Sequence, residues 1–206
     1  MPSAPDATAP DPHPLRVREM ATSEAPRVGE LTLAAYDAYG RITGGYRDHL
    51  ADPLDRRRGC SAVLVAVSGD ALLGTVTYVR PHDPQWEPRP TPAGDAGFRV
   101  LAVDPSQEGR GAGRALVSAC LARARAEGRH RLVVTTMAWM TRARRLYDRL
   151  GFVHHPDLDL RFPSGIGHTL TRDLTDEAPQ RFPPPGPAPA HIPWFEDVWR
   201  GRPSDG

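Results

Sequence analysis

The chain has 206 residues, 39% of them hydrophobic and 25% charged, with a formal net charge of +1 at pH 7. That length can bury one sizeable core, and the balanced charge argues against a nucleic-acid-binding or membrane-surface protein. Cys60 and Cys120 are the only cysteines, no metal-ligand spacing such as C-x-x-C occurs, and no apolar secretory or membrane-spanning run is present, so a cytoplasmic protein without structural disulfides is expected.

Residues 1–14, MPSAPDATAPDPHP, hold five prolines and almost no large apolar side chain. Such a segment cannot offset the entropy of ordering and is expected to be a flexible tail. LRVREM then alternates apolar and charged residues as a first strand does, with Thr22 or Ser23 as the expected cap of a helix carrying Val28, Leu31 and Ala35. A loop-rich stretch follows, with Gly44-Gly45 and the arginine run 56 to 58, which reads as solvated loop or as a contact for an anionic ligand. SAVLVAV and ALLGTVTYV flank Ser68-Gly69-Asp70, a hairpin signal.

Residues 80 to 95 form a proline-rich loop ahead of FRVLAV, the expected central strand. A helix from Arg114 to Glu127 buries Leu116, Val117, Cys120, Leu121 and Ala124 and is stopped by Gly128. RLVVTT follows as a parallel strand, because a helical crossover joins it to the one before. Trp139, Ala143, Leu146, Tyr147 and Leu150 mark one face of a last helix ended by Gly151, and FVHH and IGHTLTRDL close the sheet. Residues 175–206 form a proline-rich extension ending in IPWFEDVW, where Trp194, Phe195, Val198 and Trp199 share a helical spacing. Docking on the domain is the favoured reading of that segment, and partner binding is the other.

Between the central strand and its following helix stands VDPSQEGRGAGRALV. A glycine-rich turn at a helix start suits a phosphate, because its N–H groups are unobstructed and the helix end favours negative charge. Gly113 is followed by Arg114 and Ala115 rather than Lys and Ser/Thr, which excludes the nucleoside-triphosphate loop, and the dinucleotide fingerprint G-x-G-x-x-G fails from either Gly109 or Gly111. The remaining pattern is Q/R-x-x-G-x-G/A, read as Glu108-Gly109-Arg110-Gly111-Ala112-Gly113.

With FRVLAVDP before it and L-Y-x-x-x-G-F in RRLYDRLGF after it, this turn resembles the GNAT superfamily of acyl-CoA N-acyltransferases over roughly residues 15–174. The resemblance implies a mixed α/β GNAT fold, a twisted sheet of about six to seven strands flanked by helices, in which two splayed parallel strands hold CoA. It also implies that the backbone of Leu101, Ala102 and Val103 pairs with the pantetheine arm, and that Glu108, Gly109, Arg110, Gly111, Ala112, Gly113 and Arg114 surround the pyrophosphate. Tyr147 takes the general-acid position, acetyl-CoA is the cosubstrate, no metal is required, and a primary amine of a small molecule or peptide is the acceptor, for a monomer or homodimer.

The pattern is broken at three places. Glu108 replaces the usual Gln or Arg and is expected to point outward, paired with Arg110 or Arg114. Gly97 replaces the usual glutamate base, leaving Asp95, Glu87, His82, a water chain or no residue for that role. Met140 replaces an asparagine. The last two departures keep open a second reading, a GNAT-shaped acyl-CoA sensor without turnover. Tyr36, Tyr39 and Tyr46 fall near the implied acceptor side, where core packing is the competing explanation, and aspartates 37, 48, 52 and 55 hint at a cationic acceptor. His154, His155, Asp157 and Asp159 read as a surface strand and turn, since adjacent strand residues point to opposite faces.

Overall fold

The computed structural model describes residues 13–40, 42, 44–58, 62–83, 85–86, 92–162 and 165–175. The first strand, β1 (Arg16–Glu19), leads through a 3-10 turn into α1 (Ala25–Asp37). Neither Thr22 nor Ser23 caps this helix; the Glu24 carboxylate accepts the Ala21 N–H at 2.8 Å, and Pro26 lies in the first turn, where a missing N–H costs nothing. The stretch read as loop contains two short helices, α2 (Gly45–Ala51) and α3 (Pro53–Arg56). Asp52 starts the second by accepting the Leu54 and Asp55 amides, both at 2.9 Å.

The hairpin forms as expected: β2 (Ala62–Ser68) and β3 (Ala71–Val79) are joined through Gly69 at φ 56°. The central strand β4 runs Asp95–Val103, so Asp95 belongs to the strand rather than to the loop before it. Next come α4 (Ala112–Ala126), β5 (Arg131–Met137), α5 (Thr141–Arg149), β6 (Val153–His154), β7 (Leu160–Phe162) and β8 (Gly165–Asp173). Trp139 precedes α5 and is 45% exposed, in place of the core-facing position its spacing suggested.

All eight strands belong to one open sheet, ordered β1-β2-β3-β4-β5-β8-β6 with β7 also on β8. The short β7 is the strand beyond the six to seven expected; its Leu-Arg-Phe gives too brief an alternation to read. Every pairing is antiparallel except β4 with β5. Helices α4 and α5 cover one face and α1 the other, which is why β2 reads as a continuous apolar run. Its Ala62, Leu64 and Ala66 enter the core under α4, while Val63 and Val65 enter the core under α1.

Proline-rich residues 1–12 and 176–206 lie outside the described residues, as do Cys60, Glu87 and the aromatic segment with Trp194 and Trp199. Cys120 is a buried free thiol, and burial pushes its pKa up to about 12, so it behaves as a small apolar core residue.

Candidate active site

The site is set by where two parallel strands stop pairing. β4 and β5 are in register only at Asp95–Arg131, Ala96–Leu132 and Gly97–Val133; from Phe98 and Val134 onward they part. On its other edge β4 carries an extra residue. Thr77 pairs with Arg99 and Thr75 with Ala102, so Val100 and Leu101 together oppose Val76. Val100 sits at φ 50°, a conformation a β-branched residue adopts only under constraint from its surroundings. This bulge bends β4 away from β5 and places Leu101, Ala102 and Val103 on the parted stretch.

The strand then runs through Asp104, which accepts the Ser106 N–H at 2.8 Å, into the glycine turn and α4. Gly111 is the residue before the helix, at φ 82°, and Gly109 stands at φ 85°. A Cβ built at either meets nothing within 4 Å, so glycine is required there for conformation, and the backbone stays open to a close-approaching group. Gly113 differs: its Cβ would lie 3.3 Å from Leu146 and 3.4 Å from Val103, so this glycine serves the close seating of α4 on its neighbours. The first amides of α4 have no carbonyl one turn back in the helix, and its positive end points out of the turn. Glu108, Gly109, Arg110, Gly111 and Arg114 are exposed around that end, and Ala112 is buried.

Glu108 does turn outward, with a different partner from the one expected. Its carboxylate accepts from Arg142 at 2.6 Å, tying the glycine turn to the start of α5. Arg110 instead donates to Gln107 at 2.8 Å and to Ser68 at 3.3 Å. The exposed Glu108–Arg142 pair adds little stability, but it neutralises the carboxylate nearest the turn.

Tyr147 lies on the inner face of α5, 3% exposed, its ring edge-on to Phe98 at 5.6 Å and tilted against Phe152 at 5.7 Å. Burial, then the nearby Tyr39 and Cys120, push its hydroxyl well above the ordinary phenol value, so it is protonated at neutral pH. No described residue hydrogen-bonds that hydroxyl.

Gly97 has a clear steric cause. A Cβ there would come within 2.8 Å of the Trp86 ring and 2.9 Å of the Val133 carbonyl oxygen. Trp86 packs with Val79 and Val133 over the position and lines a shallow pocket at the start of the parting with Gly97, Phe98 and Val134. A glutamate at 97 does not fit this arrangement. Asp95, one of the substitutes considered, is 2% exposed and bound by Arg131 at 2.7 Å, at the paired end of the two strands. Its carboxyl is pushed up by burial and pulled back by Arg131, the balance of a structural ion pair. His82 is exposed in a turn at φ 63°.

The arginine run behaves differently at each position: Arg56 is fully buried, whereas Arg58 is exposed. Arg56 donates to the carbonyls of His49, at 2.9 Å, and Leu50 at the end of α2, and to the Thr32 hydroxyl at 3.5 Å, so neutral acceptors hold its terminal nitrogens without a carboxylate contact among the described residues, while its buried Nε makes no hydrogen bond. His49 beside it is lowered to about 2 by burial, with Arg99 and Arg56 adding to the effect, and stays neutral. Tyr36 and Tyr46 meet edge to face at 6.4 Å, and Tyr46 stacks on His49 at 6.2 Å. Tyr39 is apart from them, against exposed Trp139 at 5.5 Å. That surface pair beside Tyr147 was not legible in the sequence, because its rings lie 100 residues apart on different elements.

An open mixed sheet parted between two parallel strands, with a glycine turn and helix start after the first, is the arrangement expected of an acyl-CoA acyltransferase. Residues 26–152 match the model of the acetyltransferase (GNAT) family, and the chain belongs to that family. Among solved structures it is similar to a GCN5-related N-acetyltransferase from Kribbella flavida, with 26% identity, TM-score 0.58, and 78% of this chain and 98% of that one covered. A GNAT-family acetyltransferase from Staphylococcus aureus Mu50 aligns with TM-score 0.63 and 15% identity over 79% of this chain and 100% of that one. The putative acetyltransferase yncA from Salmonella typhimurium, solved with acetyl-CoA, aligns with TM-score 0.59 and 18% identity over 80% and 96%. A search of curated protein sequences finds no significant match.

Proposed function

We propose that this protein is an N-acetyltransferase that moves the acetyl group of acetyl-CoA directly to a primary amine while both are bound. The observation that carries this reading is the loss of β4–β5 pairing after Gly97 and Val133, with a glycine turn and helix start following on the same strand. The parted backbone of Leu101, Ala102 and Val103 is suited to pair with an extended amide-bearing arm, as a sheet edge pairs with a strand. The turn from Glu108 to Arg114 suits a pyrophosphate through backbone amides and the helix dipole, with Arg110 and Arg114 adding positive charge.

In the transfer, an N–C bond forms at the thioester carbonyl and the C–S bond breaks. Backbone N–H groups on the bulged part of β4 are the donors for charge developing on the carbonyl oxygen. The Tyr147 hydroxyl delivers its proton to the departing sulfur, and the proton shed by the amine nitrogen as the amide forms passes to water and restores the hydroxyl. Asp95 is occupied by Arg131, so the amine is proposed to enter already neutral. The exposed Tyr39–Trp139 pair beside Tyr147 is the face proposed to receive the acceptor.

The test is a mixed panel of polyamines, amino acids, aminoglycosides and peptide N-termini, scored for thiol release together with the N-acetylated product by mass spectrometry. Product from at least one amine supports the enzyme. Tight acetyl-CoA binding by calorimetry with no product across the panel supports the sensor, which the sealing of position 97 by Trp86 favours. No binding at all overturns both readings.

A further inference from the structure

We infer that His154, Asp159 and His168 bind one divalent transition-metal ion of the zinc class, which pins the last strands of the sheet and takes no part in acyl transfer. These three are the group of possible metal ligands that the described residues bring together, with donor atoms all within 4.8 Å of one another. The His154 Nε2 lies 2.9 and 3.1 Å from the two Asp159 oxygens, the His168 Nδ1 lies 2.9 Å from that same Nε2, and the remaining His168–Asp159 separation is 3.7 Å. Ligands about 2.0–2.1 Å from a tetrahedral zinc stand about 3.3–3.4 Å apart, and these separations bracket that spacing.

Sheet register builds the site. His154 is paired with Leu170, and His168 lies two residues before Leu170, so the two imidazoles are diagonal neighbours on one face. Asp159 reaches the same point from the turn between β6 and β7, and its Oδ1 is oriented by the Thr169 N–H at 2.9 Å. The Thr169 hydroxyl in turn donates to the Leu158 carbonyl at 2.8 Å, holding the turn. Carboxylate orientation of this kind is what supports ligands around bound metals. His155 points away, to the Thr171 hydroxyl at 2.9 Å, as alternation along a strand requires.

Hydrogen bonding alone serves this cluster poorly. A ring nitrogen carries either one N–H or one lone pair, so a single proton on the His154 Nε2 would be divided among two carboxylate oxygens and the His168 Nδ1. A cation satisfies all of them at once. Two imidazoles and one carboxylate suit zinc and its first-row neighbours, whereas calcium and magnesium prefer oxygen ligands throughout. The side chains of His154, Asp159 and His168 are 27%, 16% and 18% exposed, which leaves an approach for the ion and for a water as fourth ligand. The sequence pattern pointed away from a metal because the adjacent His154 and His155 face opposite ways; the second imidazole comes instead from His168, fourteen residues after His154.

The full chain, stripped with a chelator and dialysed, is titrated with Zn²⁺ by calorimetry and with Co²⁺ by visible spectroscopy. One ion per chain, a cobalt ligand-field band displaced by zinc, and a raised Tm are expected. Asp159→Asn, which keeps an acceptor for the Thr169 amide, and His168→Ala each weaken binding at least about tenfold, while His155→Ala leaves it unchanged. Amine acetylation by the zinc-free folded protein equals that of the loaded form. Absence of stoichiometric binding to the folded wild type, or wild-type affinity in folded Asp159→Asn, overturns the assignment. Should His168→Ala fail to fold, the Asp159→Asn result decides.

Discussion

Tyr147 serves packing and chemistry from one position, and the two roles separate on removal of a single oxygen. Its ring fills the space between Phe98 and Phe152, which phenylalanine also fills. Tyr147→Phe therefore keeps fold, Tm and acetyl-CoA affinity but lowers kcat by roughly 10- to 1,000-fold, the range of general acid–base catalysis. Turnover at the wild-type level in a folded Phe variant, measured where chemistry limits the rate, would rule out proton donation. Asp95 gives the opposite result. Asp95→Asn removes the buried carboxylate that Arg131 binds at 2.7 Å and costs about 3 kcal/mol or more in denaturant unfolding. The kcat of the folded fraction stays unchanged; a selective loss of kcat at full stability would return Asp95 to the role of base.

The turn before α4 holds two glycines with positive φ and open surroundings, and α4 itself ends at a third, Gly128, at φ 65°. Valine is strained at 111 and at 128 alike, so each substitution lowers stability, by about 1–3 kcal/mol. Only Gly111→Val also weakens acetyl-CoA binding by at least tenfold in calorimetry, since position 111 alone adjoins the proposed phosphate site. Equal affinities in the two folded variants would remove the turn from that role.

The far end of α4 carries an ionic cluster. Glu127 accepts from Arg80 at 2.6 Å, from Tyr78 at 3.1 Å and from Arg123 at 3.3 Å. Burial pushes this carboxyl up, but the hydrogen bonds from Arg80 and Tyr78 outweigh it and bring it down to about 2. A carboxyl depressed below its unfolded value of about 4.3 stabilises the fold fully above that pH, and the contribution disappears as pH falls through about 2. Solvent screening at this surface position keeps it on the order of 1 kcal/mol. Glu127→Gln is accordingly less stable than the wild type at pH 7, and the two unfolding curves converge between about pH 4.5 and 2. A constant difference across that range would show that packing, not charge, is responsible.

Cosubstrate binding also bears on the entire domain, because the parted strands, the glycine turn and α5 exist together only in the folded chain. A ligand that binds only the folded state at one hundred times its Kd adds about 2.7 kcal/mol. For a chain of this size that raises Tm by roughly 5–10 °C, readable by scanning calorimetry with acetyl-CoA. An unshifted Tm at saturating acetyl-CoA contradicts the proposed site.

Local rules carried much of the architecture. Alternation located β1, and short apolar runs beside turn residues located β2, β3 and β5, because both signals lie within a few residues of chain. The glycine turn and Tyr147 were legible for the same reason: the backbone demand at Gly109 and Gly111 and the helical spacing around Tyr147 are satisfied within a few residues. What remained hidden rests on partners remote in sequence. The carbonyls ending α2 hold Arg56 in the interior, Arg142 draws Glu108 outward, and the Trp86 ring closes the space over Gly97. The bulge at Val100 and the cluster of His154, Asp159 and His168 likewise arise from strand register. Residue type and spacing dictate which local conformations and side-chain chemistries are available, but charge pairing and close packing act through space, and only the folded sheet brings those groups within reach.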